Sequence, residues 1–353
     1  MYYLNPEVET LNRIFDQNMR EPYLRLDLNE NPGGLPEEFV KKVLSEITPE
    51  FVAQYPETLP FATKLAEFLN TGVENICLVN GSSEGIRNII YAFSGPGGRI
   101  VGVTPTYAMF EVYSKMYGRN FTPVRYNEDL TIDVENVLAA MTPDTQIMIV
   151  VNPNNPMGNA FSEEVMQRIY DRARAYEITL LIDEAYFYFY PKTFLHFALE
   201  HEHVFVTRSF SKLFSLAGLR LGYVVGWAEG IKMVQKLCTP HNVNAPSMLF
   251  ARRIMEEPGL IESLVEKHKE GRQWLISELS ARGYKMEGKE GNFIFIQPKT
   301  DATTVMNRMK AEKGILIKTY QGVGALGECL RVTTGEKRFM ERFLAGLLEI
   351  DRW

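Results

Sequence analysis

Short β-branched runs alternate with amphipathic stretches through the middle of this chain, and this alternation constrains the fold more than any other feature. It is typical of a parallel sheet whose strands are joined by helices packed on its faces. The predicted strands cover residues 76–79, 99–103, 147–151, 179–182 and 204–207. Polar motifs follow these strands, and open α/β sheets bind ligands beyond the carboxyl ends of their strands. The sequence therefore predicts an α/β protein with a ligand site at one edge of the sheet.

The same pattern divides the 353 residues into three parts. Residues 35–240 form the predicted large domain, which also contains a further, antiparallel strand at 222–227. After a change of pattern, a long helix at 260–281 and several shorter elements predict a small α+β domain over 241–353. The shorter elements are expected at 292–297, 303–313, 315–319, 330–332 and 336–350. Residues 1–34 are expected to form an N-terminal arm that completes the small domain.

Composition and charge indicate a soluble, cytoplasmic protein. Apolar residues make up 45% of the chain and charged residues 23%, as in ordinary globular proteins. The net charge of -6 argues against a nucleic-acid or anionic-membrane partner. Cys77, Cys238 and Cys329 are scattered without metal-ligand spacing, so no metal site is expected. Neither a secretory signal nor an apolar stretch long enough to span a membrane is visible.

The strongest chemical signal is Lys212 in the run Ser209-Phe210-Ser211-Lys212, with Arg220 eight residues further on. Asp183 lies 29 residues before the lysine, and Asn155 lies 28 residues before the aspartate. A lysine that forms a Schiff base with pyridoxal phosphate (PLP) needs hydroxyls and a guanidinium for the phosphate, an acid for the pyridine nitrogen and a donor for the phenolic oxygen. All three are present, so their combination predicts a PLP enzyme. Taken singly, Lys212 would be a surface lysine and Asp183 a helix N-cap.

A second candidate for binding the phosphate follows the strand at 76–79. Its Gly-Ser-Ser sequence joins this strand to a predicted helix, so the amides at the start of the helix point toward one spot and can bind an anion. Serine hydroxyls and an arginine near Lys212 supply further donors for phosphate oxygens. The candidate phosphate ligands are Gly81, Ser82, Ser83, Ser209, Ser211 and Arg220.

Four segments resemble the signature segments of the fold-type I, class I/II aminotransferases. They are Asn155-Pro156-Met157-Gly158, Asp183-Glu184-Ala185-Tyr186, Ser209-Phe210-Ser211-Lys212 and Gly218-Leu219-Arg220-Leu221-Gly222-Tyr223. Three further segments are similar to the histidinol-phosphate aminotransferase branch: Leu28-Asn29-Glu30-Asn31-Pro32, Tyr55-Pro56 and Cys329-Leu330-Arg331-Val332. The resemblance implies the fold of type I PLP-dependent transferases. In that fold a large domain with a mostly parallel sheet flanked by helices is joined to a smaller α+β domain.

The resemblance also implies a role for each cofactor-binding residue. It makes Lys212 the Schiff-base lysine and proton shuttle, and Asp183 the partner of the pyridine nitrogen. Asn155 and Tyr186 become donors to the phenolic oxygen of the cofactor. Tyr107 becomes the aromatic side chain stacked on the pyridine ring, whereas the competing interpretation makes it a core tyrosine.

Tyr55 has a different implied place. The resemblance puts this position at the phosphate of the neighbouring subunit, which predicts a homodimer whose active sites are shared between subunits. The alternative is a half-buried tyrosine before a turn proline.

Arg331 is the substrate ligand that the resemblance implies, because the family uses the arginine of this segment to hold a carboxylate or a phosphate. A guanidinium binds either group with two parallel hydrogen bonds. Asn155 and Lys318 complete the implied substrate site, and Lys318 stands where the branch often has arginine. Asn31-Pro32-Gly33-Gly34 also lacks the aromatic residue that often follows this motif. Both departures leave the substrate open.

The implied reaction transfers an amino group from histidinol phosphate, an aromatic amino acid or a related amino compound to a 2-oxo acid such as 2-oxoglutarate. Such a reaction belongs to amino-acid biosynthesis. The alternative is a decarboxylase of the threonine-phosphate type, which shares the cofactor ligands but holds the substrate carboxylate perpendicular to the ring. A sensor without catalytic activity is a third hypothesis, and the intact lysine argues against it.

Overall fold

The computed structural model describes residues 4–11 and 19–352. The strands among them are β1 Leu24–Arg25, β2 Ile76–Val79, β3 Arg99–Thr104, β4 Asn120–Arg125, β5 Thr145–Val151, β6 Thr179–Asp183, β7 Val204–Ser209, β8 Gly222–Gly226, β9 Lys285–Glu287, β10 Phe293–Gln297, β11 Ile315–Leu316, β12 Lys318–Tyr320 and β13 Cys329–Thr333. The α-helices are α1 Pro6–Glu9, α2 Glu37–Leu44, α3 Pro49–Ala53, α4 Leu59–Leu69, α5 Ser82–Ala92, α6 Met109–Met116, α7 Val134–Ala140, α8 Glu163–Ala175, α9 Leu195–Glu200, α10 Ala228–Gln235, α11 Ala245–Glu256, α12 Leu260–Ala281, α13 Ala302–Lys313 and α14 Lys337–Ile350.

A seven-stranded sheet with the order β2-β8-β7-β6-β5-β3-β4 forms the centre of the large domain. β8 pairs antiparallel with both of its neighbours, as predicted, and the other pairs are parallel. All five strands predicted for the parallel sheet are present. The edge strand β4 was not predicted, because Pro123 interrupts its pattern. An edge strand tolerates proline since one of its sides has no neighbour to bond.

Apart from the edge strand β4, both faces of this sheet are buried, which explains why its strands are almost continuously apolar. In β5, Met148 and Val150 pack into the core on one face, whereas Ile147 and Ile149 pack into the core on the other. The covering helices begin where their sequences favour it. At α8 the Ser162 hydroxyl accepts a hydrogen bond from the Val165 amide at 3.3 Å and caps the helix as expected.

The small domain contains the four-stranded antiparallel sheet β12-β13-β10-β9 and the two-stranded parallel sheet β1-β11. The single strand predicted over 315–319 is wrong, because the chain leaves one sheet after Leu316 and joins the other at Lys318. The buried side chain between them, Ile317, packs into the small-domain core. The remaining predicted strands and helices of this region lie within two residues of the observed ones.

The N-terminal arm packs against the small domain. Leu24 and Leu26 lie in its core, and the Thr333 amide donates to the Leu26 carbonyl at 2.9 Å. Residues 1–3 and 12–18 of the predicted arm lie outside the described residues. The domain division after residue 240 stays a prediction. The apolar side chains of α11 pack into the large-domain core, and those of α12 change from the large core to the small one along the helix.

This topology places the carboxyl ends of β5, β6 and β7 side by side, and the predicted site residues follow these ends. In the register of the sheet Val151 pairs with Asp183, and Asp183 pairs with Thr207. Among the described residues no helix combines the length and the apolar composition needed to cross a membrane.

Candidate active site

A cavity of about 350 Å³ lies at these strand ends, between the large and small domains. Twelve of the fourteen predicted site residues line it: Ser82, Ser83, Tyr107, Asn155, Asp183, Tyr186, Ser209, Ser211, Lys212, Arg220, Lys318 and Arg331. The fold therefore brings together motifs that are separated by up to 249 positions in the chain.

Lys212 follows β7 and extends its amine into this cavity. The Nζ atom donates to the Leu28 carbonyl at 2.9 Å and lies 5.8 Å from the centre of the Tyr186 ring. Burial and then the positive charge of Arg331 lower the pKa of Lys212 to about 8. A lysine with this pKa has a substantial neutral fraction near neutral pH, which is the form needed for a nucleophile or a base.

Asp183 ends β6 and is only 4% exposed. Its Oδ1 atom accepts hydrogen bonds from the Thr207 hydroxyl at 2.9 Å and from the Ala185 amide at 3.2 Å. Burial raises the pKa of Asp183 to about 6, although these two hydrogen bonds oppose the shift. No hydrogen bond among the described residues uses Oδ2, so that oxygen is available to a cationic donor in the cavity.

Gly81, Arg220 and Ser211 form a cradle for an anion. Gly81 has a φ of 75° and precedes the first turn of α5, whose first residue, Ser82, lines the cavity. A Cβ atom on Gly81 would lie 2.3 Å from the Nη2 atom of Arg220, so the guanidinium occupies space that only glycine leaves open. Arg220 itself has a left-handed φ of 56° and donates to the Ser211 hydroxyl at 3.3 Å.

Tyr107 and Ser83 are joined at a second wall of the cavity by a hydrogen bond of 2.9 Å between their hydroxyls. The Tyr107 ring meets Phe110 edge to face at 5.7 Å, which fixes the plane of the tyrosine. Tyr107 is therefore a half-buried cavity residue with its hydroxyl held in place.

Arg331 is the most buried cation of the cavity, at 4% exposure. Its Nη1 atom donates to Asn155 Oδ1 at 3.1 Å and to the Tyr320 hydroxyl at 3.3 Å, and its Nη2 atom donates to the Asp27 carbonyl at 2.6 Å. Nε is buried without a partner, and none of the described carboxylates forms an ion pair with this guanidinium. A buried charge without a counter-ion is costly, so the site favours an anionic ligand. Lys318, opposite Arg331 in the register of β12 and β13, lines the same cavity.

Two predicted site residues do not line the cavity. Gly81 is not a lining residue, but a Cβ built on it would meet Arg220, which is one. Tyr55 lies in a separate surface groove with Met248 and Arg252, and its ring stacks on His241 at 4.4 Å. Its exposure is 80%, so the interpretation as a half-buried tyrosine is wrong.

Several cavity residues were not predicted. Tyr320 and Thr106 had no signal in the sequence, and Asn29 lay in a motif to which no chemistry had been assigned. Thr207, the donor to Asp183, looked like an ordinary strand residue. These residues lie close to the predicted ones only because the chain folds, so the sequence alone does not reveal them.

The chemistry of the cavity fits PLP. The phosphate needs the donors found in the anion cradle, the pyridine nitrogen needs a buried carboxylate with a free oxygen, and the aldehyde needs an amine that is partly neutral. The cradle, Asp183 and Lys212 supply these three groups. Fold and site together define a PLP enzyme of fold type I.

Comparison with known proteins gives the family. Residues 21–347 match the aminotransferase class I and II family. The chain is 34% identical to the histidinol-phosphate aminotransferase of Thermoanaerobacter pseudethanolicus, over 336 residues that cover 93% of each protein. It is 31% identical to that of Caldanaerobacter subterraneus subsp. tengcongensis, over 353 residues that cover 98% of each. The chain belongs to the class I and II aminotransferases.

Structural similarity agrees with this assignment. The histidinol-phosphate aminotransferase of Sinorhizobium meliloti, solved in complex with pyridoxal-5'-phosphate, superimposes with a TM-score of 0.87. The superposition covers 100% of this chain and 98% of that one at 23% identity, so it supports the fold. The predicted family, fold class and cofactor, and the prediction of an aminotransferase, are confirmed.

Proposed function

We propose that this aminotransferase moves an amino group from an anionic amino donor, with histidinol phosphate as the first candidate, to a 2-oxo acid such as 2-oxoglutarate. The observation that carries this proposal is that the Lys212 amine, the Asp183 carboxylate and the Arg331 guanidinium line one cavity of about 350 Å³. The relatives described above, which are named for histidinol phosphate, support the choice of donor.

Bound PLP would supply an aldehyde that accepts the amino group and a ring that withdraws electrons from the substrate carbon. Gly81, Ser211 and Arg220 would hold its phosphate, and Lys212 would be its covalent attachment point. Asp183, ionised above a pKa of about 6, would hold the ring nitrogen in its protonated form. Once displaced by the donor, the Lys212 amine would take a proton from the substrate carbon and return it elsewhere.

Arg331 would hold the anionic group of the donor through a guanidinium that already has fixed partners. Asn155 and the Asp27 carbonyl orient its two Nη atoms, so little side-chain freedom is lost when an anion binds. Lys318 would add a second positive charge for a phosphate or a second carboxylate. A lysine binds such groups as a point charge, whereas arginine binds them with a planar fork. This difference makes the donor range the property to measure first.

A panel of amino donors tests the proposal. Purified protein with PLP is incubated with 2-oxoglutarate and histidinol phosphate, aromatic amino acids or other amino compounds, and glutamate formation is measured. Release of carbon dioxide is measured in parallel, because it would support the decarboxylase alternative. The proposal fails if no anionic donor yields glutamate.

Covalent trapping tests the role of Lys212. Borohydride reduction should fix the cofactor on the wild type and not on Lys212→Ala. Lys232→Ala, which removes an exposed lysine paired with Glu229, is the matched control and should trap as the wild type does. Trapping that persists in Lys212→Ala would contradict the assignment.

We also propose that the protein is a homodimer in which Tyr55 reaches the phosphate of the partner's cofactor. Tyr55 is 80% exposed, and Val52 and Leu59 beside it are 70% and 64% exposed, so an apolar surface surrounds the tyrosine. Sedimentation should give twice the mass of the chain. Mixing Lys212→Ala with Tyr55→Asp should restore one complete site per mixed dimer, and failure to regain cofactor binding would contradict a shared site.

We further propose that the protein is located in the cytoplasm. Cys77, Cys238 and Cys329 are all free thiols, which suits a reducing compartment. Cell fractionation with antibody detection tests this, and recovery with an exported fraction would refute it.

A further inference from the structure

Asn29 reaches the candidate active site from the N-terminal arm. The residue is 1% exposed, and its Nδ2 atom donates to the Tyr186 hydroxyl at 2.8 Å. The two residues are separated by 157 positions in the chain, and Tyr186 lines the cavity beside Lys212. Because 157 positions separate Asn29 from Tyr186, their contact depends on how the N-terminal arm packs in the folded chain.

Two neighbours, Thr333 and Asn292, fix the orientation of Asn29. Its backbone N–H donates to the Thr333 hydroxyl at 3.0 Å. That hydroxyl lies 3.4 Å from the side-chain oxygen Oδ1 of Asn29 and can donate to it. The Asn292 side chain donates to the Asn29 carbonyl at 3.0 Å. Because Oδ1 faces Thr333, the amide nitrogen faces Tyr186. The side chain therefore acts as a donor toward the tyrosine.

This contact determines where the proton of Tyr186 can go. A tyrosine hydroxyl has one proton to donate and accepts through its oxygen lone pairs. The oxygen accepts from Asn29, and among the described residues the hydroxyl has no acceptor for its own proton. Tyr186 is buried except where it lines the cavity, so the proton is directed to a ligand there.

We propose that Asn29 is a positioning residue for the cofactor: by donating to the Tyr186 hydroxyl, it makes that hydroxyl a donor to the phenolic oxygen of bound PLP. This inference rests on the proposed function. A hydroxyl that donates to the phenolic oxygen would stabilise negative charge there and would lower the pH at which the bound cofactor loses its proton. Asn29 thereby helps set the pH at which the chromophore of the bound cofactor titrates.

The residue at this position must adopt a left-handed backbone conformation and must donate a hydrogen bond to Tyr186. Asparagine is one of few residues that can do both. The φ of Asn29 is 57°, in the left-handed region that asparagine, aspartate and glycine tolerate best. Ionised aspartate would fit the backbone but can only accept, so it would draw the Tyr186 proton toward itself. Glycine would fit the backbone and leave Tyr186 free to rotate. These two substitutions separate the hydrogen bond from the backbone geometry.

The test is a pH titration of the absorbance of the PLP-loaded protein, which reports the cofactor environment independently of turnover. Asn29→Asp should raise the midpoint by about one pH unit, the size expected for loss of one hydrogen bond to a charged group. Asn29→Gly should shift it in the same direction by less. Asn31→Asp is the matched control, because it adds the same charge two residues away, where the native side chain donates to Ser215 and not to Tyr186.

A double-mutant cycle with Tyr186→Phe shows whether Asn29 acts through the tyrosine. Tyr186→Phe should itself raise the midpoint, and neither Asn29 substitution should add to the shift in that background. An unchanged midpoint in both Asn29→Asp and Asn29→Gly, or a shift that persists with Tyr186→Phe, overturns the inference. Absence of any cofactor band in the wild type would instead refute the proposed function. If Asn29→Asp fails to fold, the double-mutant cycle of Asn29→Gly with Tyr186→Phe still tests the inference.

Discussion

Replacement of Gly81 by alanine should weaken cofactor binding by displacing an arginine. The added Cβ would lie 2.3 Å from Arg220 Nη2 and 3.1 Å from its Cζ, which is closer than non-bonded atoms approach. The obstacle is the end of a flexible side chain, so the guanidinium can move away. The hydrogen bond of Arg220 to the Ser211 hydroxyl would then break, and the anion cradle would lose its only guanidinium.

Gly81→Ala should change two quantities, the affinity for PLP and the free energy of unfolding. A charge-assisted hydrogen bond to a phosphate contributes about 1.5–3 kcal/mol. Its loss corresponds to roughly a 10–100-fold increase in the dissociation constant of PLP, since about 1.4 kcal/mol is a factor of ten. Separately, Gly81 has a φ of 75° and a ψ of 152°, a conformation almost confined to glycine. Alanine there should lower the free energy of unfolding by about 1–3 kcal/mol.

Two control substitutions separate these effects. Gly97 also has a positive φ, of 72°, but nothing lies within 4 Å of a Cβ built there. Gly97→Ala should therefore destabilise the fold without changing cofactor affinity. Gly218 lies near Arg220, has no positive φ and leaves space for a Cβ, so Gly218→Ala should change neither quantity appreciably.

The assay is titration of the cofactor-free protein with PLP, followed by absorbance, together with urea denaturation of the same samples. Gly81→Ala should lose both affinity and stability, and Gly97→Ala only stability. The reasoning is refuted if Gly81→Ala binds PLP as tightly as Gly97→Ala does, because the displacement of Arg220 would then have no consequence for the phosphate.

Three further predictions concern buried charges. Glu184→Ala should lower the free energy of unfolding by about 3–5 kcal/mol in urea denaturation, because it leaves Arg208 buried without its partner at 2.9 Å. In the cofactor-free protein, the raised pKa of Asp183, about 6, means that the folded state binds a proton more tightly than the unfolded one. The stability of the wild type relative to Asp183→Asn should therefore fall, by on the order of 2 kcal/mol, as pH rises from about 4 to 6. Loading of PLP onto the apoprotein, followed by absorbance, should accelerate as pH rises through about 8, the lowered pKa of Lys212, and Arg331→Gln should move that midpoint upward.

Each of these predictions has a contradicting result. Glu229→Ala, at an exposed pair with Lys232, should cost well under 1 kcal/mol, and an equal loss in Glu184→Ala would show that burial is unimportant. A stability difference for Asp183→Asn that is constant between pH 4 and 6 would show an unshifted carboxyl. A loading midpoint that Arg331→Gln leaves in place would show that its charge does not act on Lys212.

Much of the large domain was predictable because its information is local. Continuous apolar strands mark a sheet buried on both faces, and the signature segments lie at or just beyond the strand ends, as at Asp183, the last residue of β6. The edge strand β4 could not be predicted, because its exposed side chains and Pro123 carry no burial pattern. The short strands β11 and β12 are separated in the sequence by Ile317 alone, and only tertiary pairing assigns them to different sheets.

The positions of candidate site residues in the cavity were predictable where a single signature segment marks the residue, as at Lys212 and Asp183. Their contacts were not predictable where side chains from several elements share a task. The guanidinium of Arg331 is oriented by Asn155, Tyr320 and a carbonyl of the arm, and three separate segments converge there. Such convergence follows from how the two domains pack, and the spacing of residues along the chain does not encode it.

The N-terminal arm and β13 meet beside Lys212, and this has a consequence for folding during synthesis. Asn29 and Thr333 are hydrogen-bonded across 304 positions, and β1 can pair only after Ile315 and Leu316 have been synthesised. In a nascent chain that has completed only the central sheet, the arm segment with Leu28, whose carbonyl accepts from Lys212 Nζ, still lacks the partners in β11 and β13 that hold it in place. The final placement of this acceptor beside Lys212 therefore requires that β11 and β13 have been synthesised.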